Sequence, residues 1–303
     1  MQTVLPLRKI RDFGETLSDT IQFLKFNWKK LITLYAIFVV PFLLVAALLG
    51  ASSFATLFGS ISGLNTNGFS SITSALSPQL FIAVLLMFLS ACAFGTVIFL
   101  YMKQYELNGG RQPEISEIGK QFLPKLLSNF MYSLISILFF FALALLAIIP
   151  IIGWIACIVG CFYLVITFSL LYPINTIEDP GFGIPISRSF SLIKNKWWYT
   201  FGYLIILTMI YYFFSMIIGL VVNLIFGFSS VNFLESDGSV FTKRYFLVTG
   251  ISAVIQQIFY ILIYTGIGIH YYSLREEKEG TGLDERLDQL GEGGIHGQIE
   301  EQY

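Results

Sequence analysis

Acidic and basic residues are confined to a few short segments of this chain. No Asp, Glu, Lys or Arg occurs in four long stretches: Leu31–Tyr101, Leu126–Ile177, Trp197–Leu234 and Tyr245–Leu274. A soluble globular domain carries about 25% charged residues, whereas this chain carries 12% and has a mean hydropathy of +0.74. Because a helix satisfies its own backbone hydrogen bonds in hydrocarbon, the sequence predicts an all-α, polytopic membrane protein.

The apolar stretches divide into six predicted transmembrane helices. Their approximate bounds are residues 31–50, 80–102, 130–149, 151–172, 200–226 and 246–271. Pro41 lies within the first span, where we expect a kink. Pro150 and Gly153 predict a tight turn between the third and fourth spans. Residues 51–79, which have no charge, form either a loop on the far surface or a short helix that dips back into the membrane.

Lysine and arginine are distributed unevenly between the two sides of these six spans. Sixteen of the 18 basic residues fall in the segments on the side of the N-terminus, and the other two are Lys243 and Arg244. The positive-inside rule predicts that the side with more basic residues is cytoplasmic. We therefore expect a multi-pass protein of the plasma (inner) membrane with both termini in the cytoplasm.

The first thirty residues have the pattern of an amphipathic helix. Apolar residues recur at steps of four and three, which places them on one helical face: Phe13, Leu17, Ile21, Leu24, Trp28 and Leu31. We interpret residues 1–30 as a cytoplasmic interfacial helix that leads into the first span. The alternative is an amphipathic helix packed against the core of a soluble domain.

Two further segments repeat this pattern, so we expect about three interfacial helices on the cytoplasmic side. In residues 114–126 charged and apolar residues alternate, although Pro124 interrupts them. In the third segment Ile186, Phe190, Ile193 and Trp197 share one face, and the helix is expected to pass without a break into the fifth span. The three segments are either a true internal repeat or three independent interfacial helices that look alike.

The last segment, residues 275–303, is predicted to be an acidic cytoplasmic tail. Leu283, Leu287 and Leu290 lie on one face of a short helix there. This helix either docks on the rest of the protein or remains solvated.

Three uncharged amides within the predicted spans form one candidate site. They are Asn223, Gln256 and Gln257. They either line a polar intramembrane cavity or sodium site, or form hydrogen bonds between helices.

Basic and aromatic residues at two cytoplasmic junctions form a second candidate site. Lys and Trp side chains at this level suit anionic lipid head groups. The predicted head-group contacts are Trp28, Lys29, Lys30, Arg188, Lys194, Lys196, Trp197 and Trp198. The alternative is ordinary anchoring of the protein at the membrane surface.

The sequence contains no recognisable catalytic or cofactor motif. It has no carboxylate within a predicted span, no His-Glu-x-x-His segment and no Walker-type loop. Cys92, Cys157 and Cys161 are too few for a tetrahedral zinc site and are interpreted as small apolar residues. We therefore predict no enzymatic activity, no cofactor and no metal. Nucleic acid is not an expected partner, because the basic residues follow the membrane plane and the formal net charge is -1.

Residues 187–203, SRSFSLIKNKWWYTFGY, resemble a group of bacterial six-helix integral membrane proteins. This group includes the membrane domain that precedes the catalytic domain of some glycerophosphodiester phosphodiesterases, and related stand-alone proteins of unknown function. The resemblance implies an accessory membrane module without catalytic residues, because no phosphodiesterase domain follows in this sequence.

The leading hypothesis is a non-enzymatic membrane protein that serves as a scaffold or accessory subunit of a membrane complex. Its expected partners are membrane lipids and a membrane protein. The second hypothesis is a transporter or lipid-handling protein that uses the uncharged amides as its site.

Overall fold

The computed structural model describes residues 5–62, 77–228, 250 and 252–280. Within these ranges the chain forms helices and turns and no strand, so the predicted all-α fold is confirmed. The helices are α1 (Phe13–Phe38), α2 (Val40–Ser62), α3 (Pro78–Leu107), α4 (Ile115–Ala144), α5 (Ile152–Phe168), α6 (Ile184–Ile193), α7 (Trp197–Phe228) and α8 (Tyr260–Glu279). A 3₁₀ helix (Leu145–Ile148) extends α4, and a short helical turn (Leu171–Pro173) and a π-helix (Ile174–Glu178) follow α5.

Five or six helical segments of the described chain are long and apolar enough to cross a membrane. Five are single segments: Pro78–Leu107, Ile115–Ile148, Ile152–Glu178, Trp197–Val222 and Ser252–Glu279. The sixth is the bent pair Phe13–Phe38 and Val40–Gly50, whose axes differ by 46°. Pro41 lies just after this bend and cannot donate a backbone hydrogen bond to the preceding turn. The polytopic membrane architecture and the predicted kink are therefore both confirmed.

Helix α3 lies at the centre of the bundle. In its most apolar window 50% of the residues are buried, against 11% in the segment that contains α4. Its neighbours include α8, which approaches closely at Gly268, where an added Cβ would lie 2.3 Å from the sulfur of Met102. Large aromatic residues fill the space between α1, α3 and α8, and those fully buried include Phe23, Phe94, Phe99, Tyr101, Tyr271 and Tyr272. The outer face of α4 is correspondingly left exposed.

The predicted turn between the third and fourth spans is confirmed. The backbone N–H of Ile152 donates to the carbonyl of Pro150 over 2.7 Å, and that of Gly153 donates to the carbonyl of Ile149 over 3.0 Å. A Cβ at Gly153 would lie 1.8 Å from the carbonyl oxygen of Leu146, so only glycine allows this close approach. The turn and the helices on either side form the α4–α5 hairpin.

Helix α1 differs from the expected interfacial helix in its boundary and in its packing face. It continues to Phe38 instead of ending near residue 30. Its buried side chains include Thr16, Thr20, Phe23 and Asn27, which do not belong to the predicted apolar face. Ile21 and Trp28, which do belong to that face, are exposed, whereas Leu31, which also belongs to it, is buried. Buried hydroxyl and amide groups therefore join α1 to the bundle.

The prediction that the third amphipathic segment passes unbroken into the fifth span is wrong. Helix α6 ends at Ile193 and α7 begins at Trp197. Between them Asn195 has a φ of 69°, in the left-handed region. Asparagine tolerates this conformation better than most residues, and it separates the two helices. By contrast, the first two segments belong to the continuous helices α1 and α4.

Both ends of the described chain pack against the same end of the bundle. The buried residues Leu5 and Leu7 precede α1, and the backbone N–H of Arg11 donates to Ser273 Oγ of α8 over 3.0 Å. Helix α8 continues past Arg275 to Glu279, so the first residues of the predicted acidic tail are helical. The predicted tail helix with Leu283, Leu287 and Leu290 lies outside the described residues, as do Lys243 and Arg244.

Candidate functional site

A cluster of buried amides and hydroxyls lies where α4 meets α3 and the π-helix. Asn129 of α4 is fully buried, and its Nδ2 donates to Thr96 Oγ1 of α3 over 2.8 Å and to Thr176 Oγ1 over 3.1 Å. Its Oδ1 accepts a hydrogen bond of 2.8 Å from Asn175 Nδ2. Asn175 also exchanges hydrogen bonds with Ser128. A single asparagine thus links three segments that are distant in sequence.

The π-helix explains why these side chains meet. A π-helix adds a residue per turn and commonly occurs at functional sites within helices. Here Ile174–Glu178 follows Pro173, and its C-terminal neighbour Asp179 has a φ of 53°. The carbonyl of Asn175 is accordingly available to accept a hydrogen bond of 2.9 Å from Lys125 Nζ of α4. Lys125 is buried, although the sequence pattern placed it on the polar face. Its charge is compensated by an ion pair with Asp179.

The cluster continues along α4 in the other direction. The Ser133 and Tyr172 hydroxyls are hydrogen-bonded to each other. Cys92 Sγ of α3 lies 3.4 Å from Ser133 Oγ and 3.3 Å from Tyr172 Oη. We call this connected set the polar column, and its members are Cys92, Thr96, Lys125, Ser128, Asn129, Ser133, Tyr172, Asn175, Thr176 and Asp179.

The side chains of the polar column form hydrogen bonds with backbone carbonyls as well as with one another. The Thr96 hydroxyl donates to the carbonyl of Cys92 over 2.7 Å, and the Ser133 hydroxyl donates to that of Asn129 over 2.8 Å. The amide groups of Asn129 and Asn175 are bonded to other protein groups in the same way. A satisfied buried network of this kind makes packing rigid and specific.

Of the three predicted intramembrane amides, the structure describes the side chains of Gln256 and Gln257. Gln256 Oε1 accepts a hydrogen bond of 2.8 Å from Ser215 Oγ of α7, which is the helix-to-helix contact considered as an alternative above. Gln257 is partly buried in the same short helical stretch. Asn223 belongs to α7, and its side chain lies outside the described part of the structure.

Arg188, a predicted head-group contact, instead joins an ion-pair network. It pairs with Glu178 at the end of the π-helix and with Glu279 at the end of α8. Arg275 also binds Glu279, over 3.0 Å. Burial acts to lower the pKa of Arg188, but the two carboxylates outweigh this effect and raise it. The charge of Arg188 is therefore engaged within the protein.

The remaining predicted head-group contacts occupy two separate junctions. At the first, Trp28 and Lys29 are exposed, with Lys29 Nζ 5.8 Å from the Trp28 ring centroid, while Lys30 is partly buried. At the second, Lys194 and Trp198 are exposed. The other two residues of the second junction, Lys196 and Trp197, are partly buried.

An apolar groove of about 520 Å³ adjoins the second junction, between α5 and α7. It is lined by Val159, Phe162, Tyr163, Trp197, Trp198 and Phe201. Trp197 stacks on Phe201 with ring centroids 5.3 Å apart and on Tyr163 with centroids 6.2 Å apart. The groove therefore has a rigid aromatic floor, and we refer to it as the aromatic groove.

Comparisons with family models, curated proteins and solved structures find no match to this chain. Among the described residues, no three His, Cys, Asp or Glu side chains converge as metal ligands. We therefore propose a function from three structural features: the polar column, the ion pairs and the groove.

The polar column was not predicted from the sequence. Its signal was present: Asn129 and Ser133 are four residues apart in an otherwise apolar stretch, Ser128 precedes them, and Asn175 and Thr176 end the next stretch. Their meeting depends on the π-helix, which no sequence pattern indicated.

Proposed function

We propose that this protein is a non-enzymatic scaffold or accessory subunit of a membrane complex. We further propose that it resides in a bacterial plasma membrane with both termini in the cytoplasm, as its basic residues and its resemblance to six-helix bacterial membrane proteins suggest. The main support is the polar column, in which the amides of Asn129 and Asn175 are already bonded to protein groups. A site for a solute or substrate would need polar groups that are free to bind it.

The exposed surface of the α4–α5 hairpin is the expected docking surface for a partner. Only 11% of the most apolar window of the α4 segment is buried within the chain. Leu138 of α4 and Ile155 of α5 are 66% and 60% exposed. Packing against another helix covers such a surface without the need for any hydrophobic driving force from water.

Photo-crosslinking in intact cells tests this proposal. A photoreactive amino acid replaces Leu138 or Ile155, and the buried Phe99 serves as the control position. The proposal predicts a discrete protein adduct at one or both exposed positions and none at the control. Adducts with lipid alone at both exposed positions would contradict a scaffold that docks through this hairpin.

The second candidate is a transporter or lipid-handling protein, which is favoured by the π-helix, a feature that commonly occurs at functional sites. Cys92 distinguishes the two candidates because its thiol lies within the polar column. Cys157 and Cys161 are first replaced by serine, and a water-soluble thiol reagent is applied to the folded protein and to the denatured protein. If the protein is a scaffold, Cys92 should be labelled only after denaturation. Rapid labelling of the folded protein would favour the transporter.

A further inference from the structure

The aromatic groove has the shape and chemistry of a site for a hydrocarbon chain. Its volume of about 520 Å³ falls in the range of small-molecule sites, ~300–1,000 Å³. Trp198 forms one wall and is 77% exposed, and Phe162 and Val159 of α5 form the opposite wall. The Trp198 ring is almost perpendicular to that of Trp197, at 88°. An elongated apolar ligand can therefore lie on the floor between the two helices.

The groove begins next to a basic turn. Trp197 is the first residue of the apolar segment Trp197–Val222, and it follows directly after the turn that contains Lys194 and Lys196. Lys278 of α8 joins this turn by donating to the carbonyls of Ser191 and Lys194. The turn thus gathers three lysines.

Only part of this positive charge is compensated. Lys196 pairs with Glu277 over 2.6 Å. Lys194 is exposed and takes part in no ion pair among the described residues. The end of the groove at the cytoplasmic head-group level therefore carries excess positive charge, which attracts an anion.

We propose that the aromatic groove binds one anionic phospholipid. An acyl chain lies between α5 and α7, and the phosphate lies near Lys194. The apolar lining and the excess of lysine at one end together favour an anionic phospholipid over a neutral lipid or a soluble apolar compound. This inference does not depend on the scaffold proposal.

Native mass spectrometry of the full-length protein tests the site. The protein is extracted from vesicles of equal parts phosphatidylglycerol and phosphatidylcholine, and the lipids retained per chain are counted. We expect one phosphatidylglycerol to be retained in preference to phosphatidylcholine. Lys194→Gln should lower this preference about fivefold, the effect typical of one basic residue near an anionic leaflet. The matched control, Lys29→Gln, removes a charge at the other junction and should leave the preference unchanged.

Filling the groove tests the position of the acyl chain. Val159 is 62% exposed, so Val159→Trp adds an indole to the wall without entering the protein core and should abolish lipid retention. Trp198→Ala, which removes the opposite wall, is the second variant and should also reduce retention. Equal retention by the wild type and both wall variants would overturn the proposal. It would also be overturned if both lysine variants lost the preference equally, because the attraction would then be general rather than specific to this site.

Discussion

Replacing Asn129 with leucine should destabilise the helix bundle by a predictable amount. The substitution keeps the side-chain volume similar and removes three hydrogen bonds, to Thr96, Thr176 and Asn175. Hydrogen bonds between membrane helices contribute ~0.6 kcal/mol each on average. Three of them give about 2 kcal/mol, which is about a 30-fold change in the unfolding equilibrium at 1.4 kcal/mol per factor of ten.

Two of the three partners of Asn129 keep other hydrogen bonds, which limits the expected loss of stability. The Thr96 hydroxyl still donates to the carbonyl of Cys92, and Asn175 Nδ2 still donates to Ser128. The Thr176 hydroxyl loses the one hydrogen bond that is described for it. A double-mutant cycle with Thr96→Val should give a coupling free energy of ~0.6 kcal/mol, the average for such pairs.

Reversible unfolding in mixed micelles of a mild detergent and dodecyl sulfate measures this free energy. The control is Ser136→Ala in the same helix, where the hydroxyl bonds only to the backbone carbonyl of Tyr132. The control should change the free energy of unfolding by less than about 0.5 kcal/mol. If Asn129→Leu is as stable as the control, the polar column contributes nothing to the stability of the bundle, and the expectation is refuted.

Two further substitutions test the hairpin turn and the buried arginine. Gly153→Ala should prevent the native turn, because its Cβ would lie 1.8 Å from the Leu146 carbonyl oxygen. The control Gly119→Ala meets no atom closer than 3.7 Å and should retain or raise the melting temperature, since alanine favours helix. The Arg11 side chain is fully buried and forms a 2.7 Å ion pair with the partly buried carboxylate of Asp19, so Arg11→Gln should cost ~3 kcal/mol by removing the charged partner of this carboxylate. Breaking the exposed ion pair of Lys9 by Lys9→Gln should cost under ~1 kcal/mol. Equal losses of unfolding free energy for the two charge variants, measured by chemical unfolding, would contradict this expectation.

The architecture could be predicted from sequence because it depends on composition and on local backbone geometry. Long stretches without charge predict spans wherever they occur, and Pro150 with Gly153 predicts a turn from local backbone geometry. The kink near Pro41 follows equally from a missing N–H donor. These features need no knowledge of which helix is adjacent to which.

The site could not be predicted because it depends on contacts between distant segments. Thr96, Asn129 and Asn175 each look like an isolated polar residue in an apolar stretch, and only the packing of three segments joins them. Arg188 illustrates the same difficulty, since its two carboxylate partners come from the π-helix and from the end of α8. The break at Asn195 is a local feature, but asparagine also occurs within helices, so the residue alone did not predict it.

We propose that the basic connections of this membrane-embedded chain lie on the cytoplasmic side. The most direct test is labelling of Lys120→Cys, an exposed position near the start of α4, by a membrane-impermeant maleimide in a cysteine-free background. Asn67→Cys, in the connection that the sequence assigns to the opposite side, serves as the control. We predict that intact cells are labelled at position 67 only and that position 120 is labelled after permeabilisation. Labelling of position 120 in intact cells would contradict the predicted orientation of the protein in the membrane.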